Sequence, residues 1–93
     1  MKKEYERIKK IVLDMMGIKD YDPRCRKNQF VVARILMANA LLLKGYNQIE
    51  IGEAIGVNHA GIWYYREKLW GMLEFPNMYP MEVGLWNKLK PMI

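Results

Sequence analysis

Asn47–Leu69, NQIEIGEAIGVNHAGIWYYREKL, reads as two helices meeting at a tight turn. Asn47 followed three residues later by Glu50 is the pattern of a capping box, in which each side chain satisfies a free amide at the helix start. Ile49, Gly52 and Ile55, with Ile51 one turn before Ile55, give a short amphipathic helix facing a core. Gly56 stands where the chain leaves that helix, a place that usually asks for the left-handed backbone glycine tolerates. Val57 is expected to tuck into the core, and Asn58 to cap a second helix running through Ile62, Tyr65 and Leu69. Helices that cross steeply after a three-residue turn come close together, so a large side chain at Gly52 would meet the second helix. The pattern is that of a helix-turn-helix.

In such a motif the first turn of the second helix reaches base edges while the first helix braces against the backbone. With Ile62, Tyr65 and Leu69 inward, the outward face carries His59, Ala60, Trp63, Tyr64 and Glu67, with Asn58 and Gly61 at the same end. Asn58 and His59 both donate and accept, so they suit base edges or phosphates. Ala60 is small enough to meet a thymine methyl. Trp63 and Tyr64 are large for a solvated surface, which implies a covering partner. Gln48 is positioned to meet a phosphate at the start of the bracing helix, and Arg66 and Lys68 add positive charge further along.

Upstream, Asp20–Asn28 is a turn-rich link, with Asp22-Pro23 as a helix-start signal. Arg24, Arg26 and Lys27 form a basic cluster that serves either a nucleic-acid backbone or plain solvation. Phe30–Lys44, FVVARILMANALLLK, is apolar nearly all round and is expected to be the buried axle of a bundle, about 22 Å long. It is too short for a membrane span and contains a charge, Arg34, which either clamps a phosphate or pairs with an acid. Lys2–Met16 reads as a first helix ended by Gly17. Tyr5, Ile8, Ile11, Val12 and Met15 form its apolar stripe; Lys2, Lys3, Arg7, Lys9 and Lys10 crowd the other face, for solvation or an occasional phosphate contact.

Downstream of Leu73 comes a two-proline connector, Glu74–Pro80, and then a short helix from Met81 to Lys90 with Leu85, Trp86 and Leu89 on one side. This tail either folds back over the core or packs against a second copy or protein partner. Trp70, Trp86, Met72, Met78 and Met81 are adaptable packing material for either arrangement.

The remaining composition excludes more than it assigns. Ninety-three residues at 52% hydrophobic suffice for one helical core, read as a single domain with its core in 5–73 and an extension at 74–93. A net charge of +5 and a pI near 9.4 favour an acidic partner such as nucleic acid. One cysteine, Cys25, and one histidine, His59, are too few for a disulfide framework or an ordinary zinc site. A dyad between them would need distant elements to meet. No apolar run follows the N-terminal lysines, so a bacterial or phage-infected cytoplasm is the expected location.

The run from Ile11 to Leu73 resembles the C-terminal DNA-binding domain of the bacterial replication initiator DnaA, of the Trp-repressor-like helix-turn-helix class. The resemblance rests on Arg26-Lys27, Val32-Ala33-Arg34 with Met37, Glu50-Ile51-Gly52, His59 and Lys68. It implies a helical fold, binding of duplex DNA, and a basic loop at Arg26-Lys27 that touches the backbone and minor groove. The family signature Gly-Gly-Arg-Asp-His followed by two threonines is altered here. Gly56-Val57-Asn58-His59-Ala60-Gly61 is one residue shorter, lacks the arginine, carries Asn58 for the aspartate and replaces both threonines. A different target sequence or a weak preference follows from those exchanges. No G-x-x-x-x-G-K-[ST] segment is present to cradle a nucleotide.

The expectation is an all-α bundle of roughly four to six helices containing a helix-turn-helix. It is expected to bind double-stranded DNA as a replication or transcription regulator of a phage or mobile element, without catalysis, cofactor, metal or membrane. The alternative is a protein–protein or dimerisation module built on the same scaffold, favoured by the Trp63-Tyr64 pair and by Glu67 on the groove face.

Overall fold

Five α-helices follow one another in the computed structural model, which describes every residue from Met1 to Ile93: α1 Lys2–Met16, α2 Asn28–Leu43, α3 Gln48–Ile55, α4 His59–Glu74 and α5 Pro80–Leu89. A 3-10 turn at Lys90–Met92 closes the chain. No helix is long and apolar enough to cross a membrane.

Every residue of α2 from Val32 to Leu41 is buried, as its all-round apolar sequence requires. The other helices surround it. α1 contributes Tyr5, Ile8 and Val12, α3 Ile51 and Ile55, α4 Ile62, Leu69 and Met72, and α5 Trp86 and Leu89, all within one buried cluster. The C-terminal segment therefore folds back: Trp86 and Leu89 are as buried as the residues of the axle they cover. Trp70, Met78 and Met81, from the same set of adaptable side chains, remain on the surface.

Two segments differ from expectation. Asp22-Pro23 does not begin a helix. The Asp22 carboxylate accepts from the Arg24 amide at 2.9 Å, making a local turn, and α2 starts only at Asn28. The aspartate side chain competes with helix initiation by capturing an amide two residues on. Ile49 does not face the core but is 61% exposed. In an eight-residue helix the buried face is set by Ile51, Gly52 and Ile55, and Ile49 lies roughly 110° round from their mean direction.

The α3–α4 corner follows the sequence closely. The Asn47 side chain accepts from the Glu50 amide at 2.8 Å, and the Glu50 carboxylate accepts from the Asn47 amide at 3.2 Å. Gly56 has φ 89° and ends α3, its N–H donating to the Gly52 carbonyl at 2.8 Å. Three residues, Gly56 to Asn58, separate the helices. The close approach at Gly52 is tighter than expected and involves a different partner. A Cβ there would lie 2.6 Å from the Val57 carbonyl oxygen, so even a methyl group meets the turn before it meets the second helix.

Candidate nucleic-acid interface

Helix α4 begins at a true cap: the Asn58 side-chain oxygen accepts from the Ala60 amide at 2.8 Å. That oxygen is committed to the helix start, so Asn58 offers a partner chiefly its NH2 group. His59 and Ala60 are exposed beside it, and Gly61 is half-buried. Further along, Trp63 and Tyr64 are each about half exposed, at 50% and 52%. Lys68 is exposed and in no ion pair. Gln48, at the first position of α3, is half-buried and makes no side-chain hydrogen bond.

Arg66 is in a different situation from Lys68. Its guanidinium stacks 4.8 Å from the Trp70 ring centre and reaches the Glu67 carboxylate at 3.6 Å. Its Nε–H is out of water with no acceptor. The charge is held along the helix rather than extended toward a groove.

The basic cluster is fixed by Arg34, whose partners are not the expected ones. Arg34 is 5% exposed and pairs with no acid. It donates to the Pro23 carbonyl at 3.1 Å, the Cys25 carbonyl at 2.7 Å and the Tyr65 hydroxyl at 3.2 Å. One guanidinium thus ties the 23–27 loop to α2 and to the middle of α4. Burial opposes its charge and the Tyr65 hydroxyl favours it, and the balance holds its pKa above the ordinary arginine value. The Tyr21 hydroxyl is also buried and without a hydrogen-bond partner, and burial raises its pKa. Neither phosphate clamping nor an acid partner fits Arg34, because each of its three nitrogens already donates to a backbone carbonyl or a phenol. The signal is present in the sequence. Phe30, Val31, Met37 and Ala38, the helical neighbours of Arg34, are all apolar, so a buried guanidinium there has to find carbonyls.

Asn39, the other polar residue of the axle, acts similarly. Its side-chain N–H groups donate to the Ile35 carbonyl at 2.7 Å and the Tyr65 carbonyl at 3.1 Å. Tyr65 is therefore held at both its main chain and its hydroxyl by α2. It lies at the edge of the core face next to Gly61, Tyr64 and Lys68, with its ring 6.1 Å from that of Tyr64. The 23–27 loop is brought to this edge of α4. Arg24, Arg26 and Lys27 are all exposed there and none is in an ion pair.

The opposite edge of α4 differs in character. His59, Trp63, Arg66, Trp70 and Leu73 recur at spacings of four and three and are exposed or half-buried. Trp63, expected on the groove face, and Trp70, expected as packing material, share this one strip of the helix. Between the two edges, Ala60, Glu67 and Gly71 mark the outermost line, with no basic residue on it.

Compared with known protein families, with curated proteins and with solved structures, the chain gives no match.

Proposed function

We propose that the chain binds double-stranded DNA through α3 and α4. The first turn of α4 enters the major groove, and the 24–27 loop lies on the phosphate backbone. The observation that carries this reading is the Arg34 link: three unpaired cations on a short loop are held against the helix that follows a helix-turn-helix corner. A buried arginine hydrogen-bonded to two loop carbonyls is a costly way to order a loop that only has to be soluble. His59, Ala60 and the Asn58 amide group are the base-facing candidates; Tyr64, Lys68 and Gln48 flank them. The likeness to the initiator's DNA-binding domain supports the same assignment, with Arg26-Lys27 on its basic loop and Arg34 as the residue that positions it. The altered residues from Gly56 to Gly61 imply a target other than the initiator's own.

Binding to mixed duplex DNA at rising salt tests the proposal. The wild type should bind with a steep salt dependence. Replacing Arg24, Arg26 and Lys27 by alanine should weaken binding on every sequence and reduce the log–log slope by about one for each phosphate no longer neutralised. His59→Ala should weaken binding only to sequences selected from a random pool. Equal losses for both variants on selected and random DNA would defeat this division of labour, and no binding at low salt would defeat the proposal.

A second reading, a protein-binding module on the same scaffold, draws on the absence of basic residues along the outermost line of α4, where Glu67 stands, and on its half-exposed tryptophans. Absence of DNA binding together with a defined complex mass would select it.

A further inference from the structure

No hydrogen bond or ion pair runs directly between residues 22–27 and α4. The two are joined by the Arg34 guanidinium alone. It donates to the Pro23 and Cys25 carbonyls on one side and, through Nε–H, to the Tyr65 hydroxyl at 3.2 Å on the other.

Both ends of this link are held. On the loop side, the Cys25 amide donates to the Asp22 carbonyl at 3.1 Å and the Arg24 amide to the Asp22 carboxylate at 2.9 Å. Residues 22–25 are therefore a closed turn, fastened as one piece to the guanidinium. On the helix side, Asn39 donates to the Tyr65 carbonyl at 3.1 Å. The Tyr65 hydroxyl forms no other hydrogen bond with the chain. A phenylalanine at 65 would pack the same ring and leave the Arg34 Nε–H without its acceptor. What the hydroxyl adds is the link.

We propose that Tyr65 is a positioning residue, whose hydroxyl sets the 24–27 loop in register with the base-facing turn of α4. The inference rests on the reading of α3 and α4 as a DNA-binding pair. Phosphate contacts fix where a protein sits on a duplex, and base contacts read the sequence from that seat. Arg24, Arg26 and Lys27 on a loop free to shift would still hold phosphates. They would not bring Asn58 and His59 to particular base edges. His59 precedes Tyr65 by six residues, about 9 Å along the same helix, so a loop fastened at Tyr65 is fastened relative to the reading turn. Tyr65 acts through Arg34 and not by touching DNA.

Tyr65→Phe tests the proposal, with unchanged helical circular dichroism showing that the fold is kept. In the free protein, amide exchange at Arg24 and Cys25 should rise about fivefold, the worth of one net hydrogen bond, while the α3–α4 corner keeps its protection. Arg34→Lys retains the charge but lacks the planar fork that joins loop and hydroxyl, so in that background Tyr65→Phe should add nothing. No rise in exchange overturns the proposal, and so does an equal rise in the Arg34→Lys background.

The second arm measures DNA binding. On a duplex selected from a random pool with the wild type, Tyr65→Phe should lower affinity about fivefold. On random duplex the loss should be less than about twofold with the salt slope unchanged, because no cation is removed. With Arg24, Arg26 and Lys27 already replaced by alanine, Tyr65→Phe should have no further effect, whereas His59→Ala should keep its own. A loss that persists without the loop cations overturns the positioning role. A wild type that binds no DNA, together with the expected exchange results, would defeat the reading of the interface and uphold the link between loop and helix.

Discussion

Helices α2 and α4 have the same length, sixteen residues each, and direct their side chains in opposite ways. α2 is buried throughout its middle, and its two polar residues, Arg34 and Asn39, point at other parts of the same chain. α4 buries one narrow face, Ile62, Leu69 and Met72, and presents aromatic and charged residues to the outside on two separate edges. The chain thus places its internal polar chemistry where it positions a loop and a helix, and leaves two edges of that helix exposed. Changes in α2 should therefore alter stability and loop order together, whereas changes on the outer edges of α4 should leave both nearly unchanged and, under the proposed function, act on binding.

The largest effect is expected at Arg34. Arg34→Ala removes three hydrogen bonds and leaves the Pro23 and Cys25 carbonyls without their donor, at a cost of ~3 kcal/mol. For a chain of this size that corresponds to a melting temperature lower by roughly 15 °C. The same variant should raise amide exchange in residues 23–27 while the α3–α4 corner stays protected. A stability loss with no change in loop exchange would show that Arg34 supports the core and does not order the loop.

How much of this is legible in the sequence depends on how local the determining physics is. The α3–α4 corner can be read residue by residue because a capping box, a left-handed glycine and an N-cap are decided within a few neighbouring residues. The axle is legible because apolarity on all sides has one physical outcome. Arg34 stands out in the sequence but its partners do not, since its acceptors are mostly main-chain carbonyls, which carry no sequence signature. Ile49 is ambiguous because an eight-residue helix with several apolar candidates does not define a unique face. The two edges of α4 merge into one groove face in the sequence for a related reason: what separates them is the 23–27 loop, brought to one edge by the Arg34 contacts.

The next largest effect tests what sets α4 at its angle. Gly52→Ala places a methyl group 2.6 Å from the Val57 carbonyl oxygen, which belongs to the turn backbone and cannot rotate away. Overpacking of this kind costs about 1–3 kcal/mol, and alanine's better helix propensity recovers roughly 1 at most, so a net loss of about 1 kcal/mol is expected in denaturant titration. Under the proposed function DNA affinity should fall with it, since the first turn of α4 moves with Val57. An unaltered midpoint would mean that the corner relaxes without strain and that α2 alone orients α4.

A smaller change of opposite sign is expected at Gly71, on the outer line of α4. A Cβ there meets nothing within 4 Å, and the backbone is helical. Gly71→Ala should stabilise by ~0.5–1 kcal/mol by restricting the unfolded chain and favouring the helix. Within α2 no comparable slack exists, because every position from Val32 to Leu41 is packed.

The smallest stability effect is the one on which the contrast depends most. Trp63 is 50% exposed and belongs to no hydrogen bond or ion pair. Trp63→Ala should shift stability by no more than ~0.5 kcal/mol, although removing a tryptophan from a core costs ~3–5 kcal/mol. A large loss would make Trp63 part of the folding core. α4 would then resemble α2 more closely, and its outer edge would belong to the fold and not to the free surface.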